Sequence, residues 1–417
     1  MKSCKKLLLF IMFVPLLAHG TSDTLRITLP QADSIFLRNN YILLASSLGV
    51  KAQEAQIIQV KLYPNPVFTA DFNAYDPGND QFFHTGQTGQ KFFQLEQLIR
   101  LGGKRKNEIE LARTNATVAA LELQDLVRQL KYELHSRLYS LAQQSVLLEK
   151  YDAQLALLDR ILTAYQIQVD KGNVPLKDFV RLKGVYLNLN NDRGELFKNY
   201  LEEMAKVQTI LNTNSTVVPV ITDLQLEQII KTYTVEELQA TALDNRADYL
   251  ISLENITAAE QYYALQKSMA VPDINLFASY DQRSGAFINQ VNAGISIPLP
   301  LWNRNKGNIK TARFEIEQRA FTKENLKTEI LASIQNQFAL YTHTVDEFNK
   351  AQTLYNVDFE KTFKGMNTNF MKNNVSVLEF TDFFESYNNS LAEIARIKIQ
   401  LAVSAEQLNL TIGKDMF

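Results

Sequence analysis

The sequence changes period twice, in the same way each time. An alternating, strand-like segment ends in front of Leu299-Pro300-Leu301-Trp302-Asn303-Arg304-Asn305-Lys306-Gly307-Asn308-Ile309, and a very long helical pattern starts behind it. About 200 residues earlier the same passage occurs at Leu101-Gly102-Gly103-Lys104-Arg105-Lys106-Asn107-Glu108-Ile109. So specific a transition, met twice, reads as one unit present in two copies, with a corner in each.

The order of elements supports the repeat. Residues 29–62 read as a helix, capped by Asp33 or Ser34 and stopped by Pro64 and Pro66. In 67–75 one face carries Phe68, Ala70, Phe72 and Ala74, and the other Thr69, Asp71 and Asn73: a strand with one apolar and one polar side. A turn begins at Pro77-Gly78, and 92–99 returns as a second strand. From 105 to 170 there is almost no helix breaker, and Ile109, Ala112, Ala116, Ala119, Leu123, Leu126 and Leu130 form a heptad seam. A helix of about 60 residues spans ~90 Å. It breaks at Lys171-Gly172-Asn173-Val174-Pro175, and a second long helix follows over 176–211.

Residues 212–232 are irregular, with a short strand expected at 217–221. Thr234 and Glu237 form a capping-box pattern that opens a helix to about 270. Strands are expected at 274–280 and 291–297, around a turn at Arg283-Ser284-Gly285-Ala286. A breaker-poor helix then covers 306–370, a pause falls at Lys372-Asn373-Asn374-Val375-Ser376, and a last helix ends near Ile412-Gly413. Leu101 aligns with Leu301, Ile109 with Ile309 and Leu126 with Leu326 without a gap, whereas the two breaks align with a shift of one residue. The expected organisation is a leader (1–20), a first repeat (21–232, hairpin 66–99, long helices 105–211, irregular segment 212–232) and a second (233–417, hairpin 273–298, long helices 306–412).

Bulk properties narrow the function. Gly and Pro are sparse, at 15 and 10 of 417 residues, as long helices require. A net charge of -2 gives no nucleic-acid footprint. Residues 1–20 read as a secretory signal: Lys2, Lys5 and Lys6, an apolar run over 7–17, and Ala18-His19-Gly20 before a cut at Thr21. The one cysteine, Cys4, lies inside it, so disulfides, thiolate metal sites and a lipidation cysteine at the cut are not expected. The histidines His19, His84, His135 and His343 are scattered, with His135 and His343 expected as surface or interhelix residues, and no catalytic or phosphate-binding motif appears. Neither an enzyme nor a cofactor is expected.

Two hairpins supply four strands with one apolar face, and four strands cannot close a barrel. An open edge in lipid leaves backbone groups unpaired, at several kcal/mol each. Copies of the chain must therefore combine, as eight strands from two or twelve from three. A secreted coiled-coil structural or adhesion protein is the rival reading, but a fibre has no need of matched hairpins.

The order of elements, Tyr63-Pro64-Asn65-Pro66, Leu101-Gly102-Gly103-Lys104-Arg105, Asn245-Arg246-Ala247-Asp248-Tyr249 and the segment from Pro298 to Gly307 together resemble the TolC family of outer-membrane efflux proteins. The form of the second junction is most similar to the CzcC/CusC-like heavy-metal branch. The chain departs from the family at Ala247, where Pro is common, and lacks the lipobox cysteine of some relatives. The resemblance implies a mainly α chain with a β-barrel portion, a homotrimer forming a twelve-stranded barrel in outer-membrane lipid, and a periplasmic helical tunnel. It further implies a periplasmic adaptor and an inner-membrane pump of the RND type as partners. Metal ions, drugs or type I secreted polypeptides remain open as cargo.

Three groups of residues follow as candidates. Asp178 after the first break, and Glu379 and Asp382 on one helical face after the second, form the acidic-ring candidates, with Arg181 beside Asp178. In the family, acidic residues near the second tip line the periplasmic entrance. Gly172, Asn173 and Val174, with Asn373, Asn374 and Val375, are the adaptor-docking candidates. Gly102, Gly103, Pro298, Pro300, Trp302 and Gly307 mark the barrel-to-tunnel junction, where Trp302 either anchors at the membrane interface or packs into the turn.

Overall fold

The sheet is built in register. In this computed structural model, which describes residues 24–283, 286–355 and 357–417, four antiparallel strands lie in the order β2-β5-β7-β8. They are β2 (Val67–Phe72), β5 (Gln90–Ile99), β7 (Ile274–Arg283) and β8 (Phe287–Ser296). The expected leader and Ser284-Gly285 of the second turn lie outside the described residues. Directly opposed residues share a face. Phe68, Leu95, Ala278 and Ala293 form one row, and Ala70, Phe93, Tyr280 and Val291 the next but one. The row between them is polar, Thr69, Gln94, Ser279 and Asn292, and the row beyond Ala70 is mixed, Asp71, Phe92, Asp281 and Gln290. Over these two rows one face is thus apolar across all four strands, with Phe93 packed against Phe68, Phe72 and Tyr280; one row further along the same face Phe72 stands beside Lys91 and Gln282. Between β2 and β5 a small hairpin forms from β3 (Tyr75–Asp76) and β4 (Gln81–Phe82). Strands β2 and β8 are the two free edges.

The helices repeat this order. Helix α2 (Tyr41–Val60) packs on α3 (Lys104–Asp170), α3 on α7 (Ala247–Met269), and α7 on α8 (Lys306–Leu354). Each leads into or out of the strand that holds the same rank in the sheet. Helix α3 has 67 residues, ~100 Å at 1.5 Å per residue. It is held because its seam is buried at several levels. Leu134, Leu138 and Leu141 pack with Phe36, Val207 and Leu211. Further along, Tyr151, Leu158 and Ile161 pack with Leu182, Phe380 and Phe384. A third core joins Ile330, Ile334, Tyr341 and Phe348 to Leu401, Leu408 and Ile412. The last two cores take in α4 (Leu176–Leu211), α9 (Val357–Met371) and α10 (Val377–Ile412). None of the described helices is long and apolar enough to cross a membrane.

Several expectations are corrected. The helix over 29–62 is two, α1 (Leu29–Asn39) and α2. Asn40 turns the chain between them because its side chain accepts from the N–H of Ile42 and Leu43 and donates to Ile210 O. The cap of α1 is Thr28, boxed with Gln31, rather than Asp33 or Ser34. The helix over 234–270 is also two, α6 (Val235–Asn245) and α7, divided at Arg246. No proline is needed there: the Arg246 guanidinium donates to Thr411 O and Asp248, fixing the bend from outside. The Thr234–Glu237 capping box forms as the sequence indicated. The helix over 306–370 ends at Leu354 and resumes at Val357, Asn356 lying outside the described residues. Leu134 and Ile334, like Leu141 and Tyr341, are buried pairs 200 residues apart, whereas beyond this break the matched turn residues are 201 apart. The one-residue shift is therefore taken up between Tyr341 and Asn373. Finally, 212–232 holds the short strand expected there, and also a helix that was not expected. These are β6 (Thr216–Pro219), which pairs in parallel with β1 (Thr24–Ile27), and α5 (Asp223–Gln228).

Candidate functional site

The two turns at the far end of the long helices share one backbone design. Gly172 and Asn373 both take the left-handed conformation, at φ 74 and 58. The next N–H reaches back to close the helix, Asn173 to Gln168 O and Asn374 to Asn369 O, each at 2.9 Å. The turns lie side by side. Tyr165 stacks on Phe370 at 5.6 Å, and Phe370 on Phe380 at 4.0 Å. Asn173 and Val174 of one turn and Asn373 of the other line the same cavity of about 410 Å³, whereas Gly172, Asn374 and Val375 do not line it.

The acidic candidates behave differently from one another. Asp178, in the first turn of α4, is half-buried beside Tyr165, whose phenol is pushed up by burial and then by the Asp178 charge. Glu379 is exposed and serves as the third residue of a capping box. Its carboxylate accepts from Ser376 N (3.0 Å) and Ser376 Oγ (2.8 Å), and these bonds hold its pKa below the usual value. The Ser376-x-x-Glu379 spacing carries this signal, which the reading of Glu379 as a ring residue passed over. Asp382 is exposed one turn further on. Among the described residues no hydrogen bond or ion pair joins Asp178 to Glu379 or Asp382. These carboxylates can present charge at the tips; they do not converge as a chelating site. Among the described residues no group of three or more His, Cys, Asp or Glu does.

At the first junction Gly102 and Gly103 have φ 71 and 78. A side chain on Gly102 would meet Ser268 O at 2.9 Å. Lys104, buried, donates from Nζ to Val271 O and to Asp273 Oδ1, both at 2.7 Å, and Leu101 N donates to the same Asp273 oxygen. The corner of one hairpin is thereby tied to the start of the other. At the second junction Asn305 takes the left-handed role (φ 57) and donates to Gln266 O, while Arg304 donates to Pro300 O. Pro298, Pro300 and Gly307 flank this turn; Gly307 lies in the first turn of α8 with open space around it. Trp302 does not pack into the turn: it is 92% exposed.

One polar cluster has no local sequence signal. His135 of α3 lies between Asp33 of α1 and Glu406 of α10, 2.8 Å from each. Burial alone would lower its pKa, but the hydrogen bonds to Asp33 and Glu406 outweigh it and push the pKa up to about 9. It is the interhelix residue expected, as a buried imidazolium between two carboxylates. His343 is exposed.

With strands, helices and tips in place, the whole chain can be compared with known folds. A CusC structure matches with a TM-score of 0.75 over 93% of this chain and 92% of that one, at 16% identity. The chain has the fold of the TolC-type outer-membrane channels. A membrane protein from Pseudomonas aeruginosa matches this chain with a TM-score of 0.76 at 15% identity, covering 92% of each. The Campylobacter jejuni CmeC outer membrane channel matches at 0.75 and 12% identity, over 93% of this chain and 87% of that one. In sequence, the cobalt-zinc-cadmium resistance protein CzcC of Cupriavidus metallidurans is 22% identical over 289 residues, 69% of this chain. That match spans 66%, just under two thirds, of the relative's own length. No family model matches the sequence.

Proposed function

We propose that this protein is the outer-membrane exit duct of a tripartite efflux system. The observation that carries the reading is the sheet: four strands, apolar across one face, with two unpaired edges, continuous with helices ~100 Å long. Edges of that kind close only against further copies, and three copies make a barrel of twelve strands. The likeness to channels of this fold favours that number. The apolar face then meets outer-membrane lipid, the polar face lines the lumen, and the helices extend into the periplasm as a tunnel.

The tips carry the rest of the reading. Glu379 and Asp382, with Asp178 behind them, would place rings of carboxylates at the tunnel mouth, where they attract cations. Gly172, Asn173, Val174, Asn373, Asn374 and Val375 form the surface offered to a periplasmic adaptor, which links the duct to an inner-membrane pump of the RND type. The likeness to CzcC favours metal cations over drugs or polypeptides as cargo. A deletion strain profiled for metal and drug sensitivity tests this. Sensitivity to divalent metals is expected; sensitivity to drugs alone would reject the metal reading, and no phenotype together with an absence of conductance in bilayers would reject the duct.

A further inference from the structure

The two free edges of the molecule carry exposed apolar residues at the same level. On the β8 side these are Leu299, Leu301 and Trp302, at 73%, 60% and 92% exposure. On the β2 side they are Ile58, Leu62 and Tyr63, at 66%, 57% and 71%. Both groups sit where strand gives way to helix: β2 begins four residues after Tyr63, and β8 ends three residues before Leu299. Strand β2 starts at this level and β8 finishes at it. Antiparallel pairing of β8 with the β2 of another copy therefore brings the two groups together. The helices give the same answer, since α2 and α8 are the outermost of the α2-α3-α7-α8 row. Helix α2 buries only Leu43 within its own chain, although it carries Tyr41, Ile42, Leu44, Leu48 and Ile58 on its surface. A helix that leaves so many large apolar side chains uncovered within its own chain is covered by a neighbour on a further side.

The turn that carries each group is also fixed. The Arg105 guanidinium lies 4.0 Å over the Tyr63 ring and donates to Lys61 O. Opposite, Arg304 is bonded to Pro300 O and Asn305 to Gln266. An exposed tryptophan on a fixed turn, facing an apolar corner of another copy, is the form an interface anchor takes.

We propose that Trp302 packs against the Leu62–Tyr63 corner of a second copy of this chain, making an apolar clasp below each inter-subunit strand pair. The contact is head-to-tail, because the two surfaces differ, and so it recurs around a closed ring. The proposal rests on the multi-copy reading above and adds the residues that seal its seam.

Cys4 is the only cysteine in the sequence, so paired cysteines report cleanly. With Cys4→Ser as background, Trp302→Cys and Tyr63→Cys are combined in one chain and oxidised in isolated outer membranes. A ladder of covalent dimer and trimer is expected from the pair, and no ladder beyond a dimer from either single variant. In parallel, benzoylphenylalanine at position 302 is photolysed and its adducts are mapped. Adducts to residues 58–66 of another copy support the clasp. Adducts to lipid alone, or absence of the ladder in membranes where native mass spectrometry still finds the oligomer, overturn it and leave the duct reading intact. A monomer by native mass overturns both.

Discussion

Gly172 and Asn373 stand 201 residues apart and hold the same left-handed turn, at φ 74 and 58. The position matters because only glycine, and less readily asparagine, takes this conformation without a steric penalty. Gly172→Val is expected to cost about 1–2 kcal/mol, as a bulky residue is forced into the left-handed region. Asn373→Gly should be neutral or slightly stabilising. Thermal unfolding of the purified protein checks both, and equal effects of the two changes would contradict the shared design.

The staple at His135 predicts a dependence on pH. Its folded pKa, about 9, lies above the ordinary value of 6.5. The stability it contributes is therefore fully present below about pH 6.5 and is lost as pH rises through 9. The shift corresponds to on the order of 3 kcal/mol per chain. Asp33 acts in the opposite window: its pKa is held below 3.8 by His135 and Lys131 against the effect of burial, so its contribution fades in acid. His135→Gln should flatten the fall in melting temperature between pH 6.5 and 9. An unchanged slope in that variant would assign the alkaline transition to another group.

Gly294 explains a second constraint on the sheet. It faces Phe277 across the β7–β8 pair, and a Cβ on it would fall 2.4 Å from the ring. The ring covers the glycine, and a side chain there must expel it. Gly294→Val is expected to destabilise the sheet by about 1–3 kcal/mol through overpacking. Heat-modifiability of the membrane-inserted form on gels reads this out. Adding Phe277→Val should restore much of the loss, which a general intolerance at position 294 would not allow.

The long elements were legible in the sequence because their signals are local and dense. The seam through Ile109, Ala116, Leu123 and Leu130, and the stops at Gly172 and Pro175, place α3 and α4 to within a residue. The breaks at Asn40, Arg246 and Tyr355 were not legible, for none carries proline or glycine. The first two depend on partners far along the chain, Ile210 O for Asn40 and Thr411 O for Arg246. Strand β1 was invisible for the same reason, since its partner lies 192 residues away, Thr24 opposite Thr216. The His135 staple draws on residues from positions 33 to 406, a grouping that spacing alone does not reveal. At the tips the balance was different. Ser376 and Glu379 display a capping box in plain sequence, yet the carboxylate was read only for its charge.

That double role of Glu379 shapes the test of the tunnel mouth. Glutamine fills the same capping position as glutamate, so Glu379→Gln removes the charge and keeps the bonds to Ser376. Asp382→Asn and Asp178→Asn remove the remaining candidate charges near the tips. If these carboxylates line the mouth, the triple variant should keep the melting temperature of the parent to within about 2 °C, the shift expected of surface changes. In planar bilayers it should lose most of the cation preference and a several-fold share of the low-salt conductance. The loss should shrink as ionic strength rises, because the Debye length falls from about 30 Å at 0.01 M to about 3 Å at 1 M. Unchanged cation preference at low salt, in a variant that folds and inserts normally, would mean that the three carboxylates face away from the path. Asp178, half-buried beside Tyr165, would then be a residue of the helix-turn core, and Glu379 a cap alone.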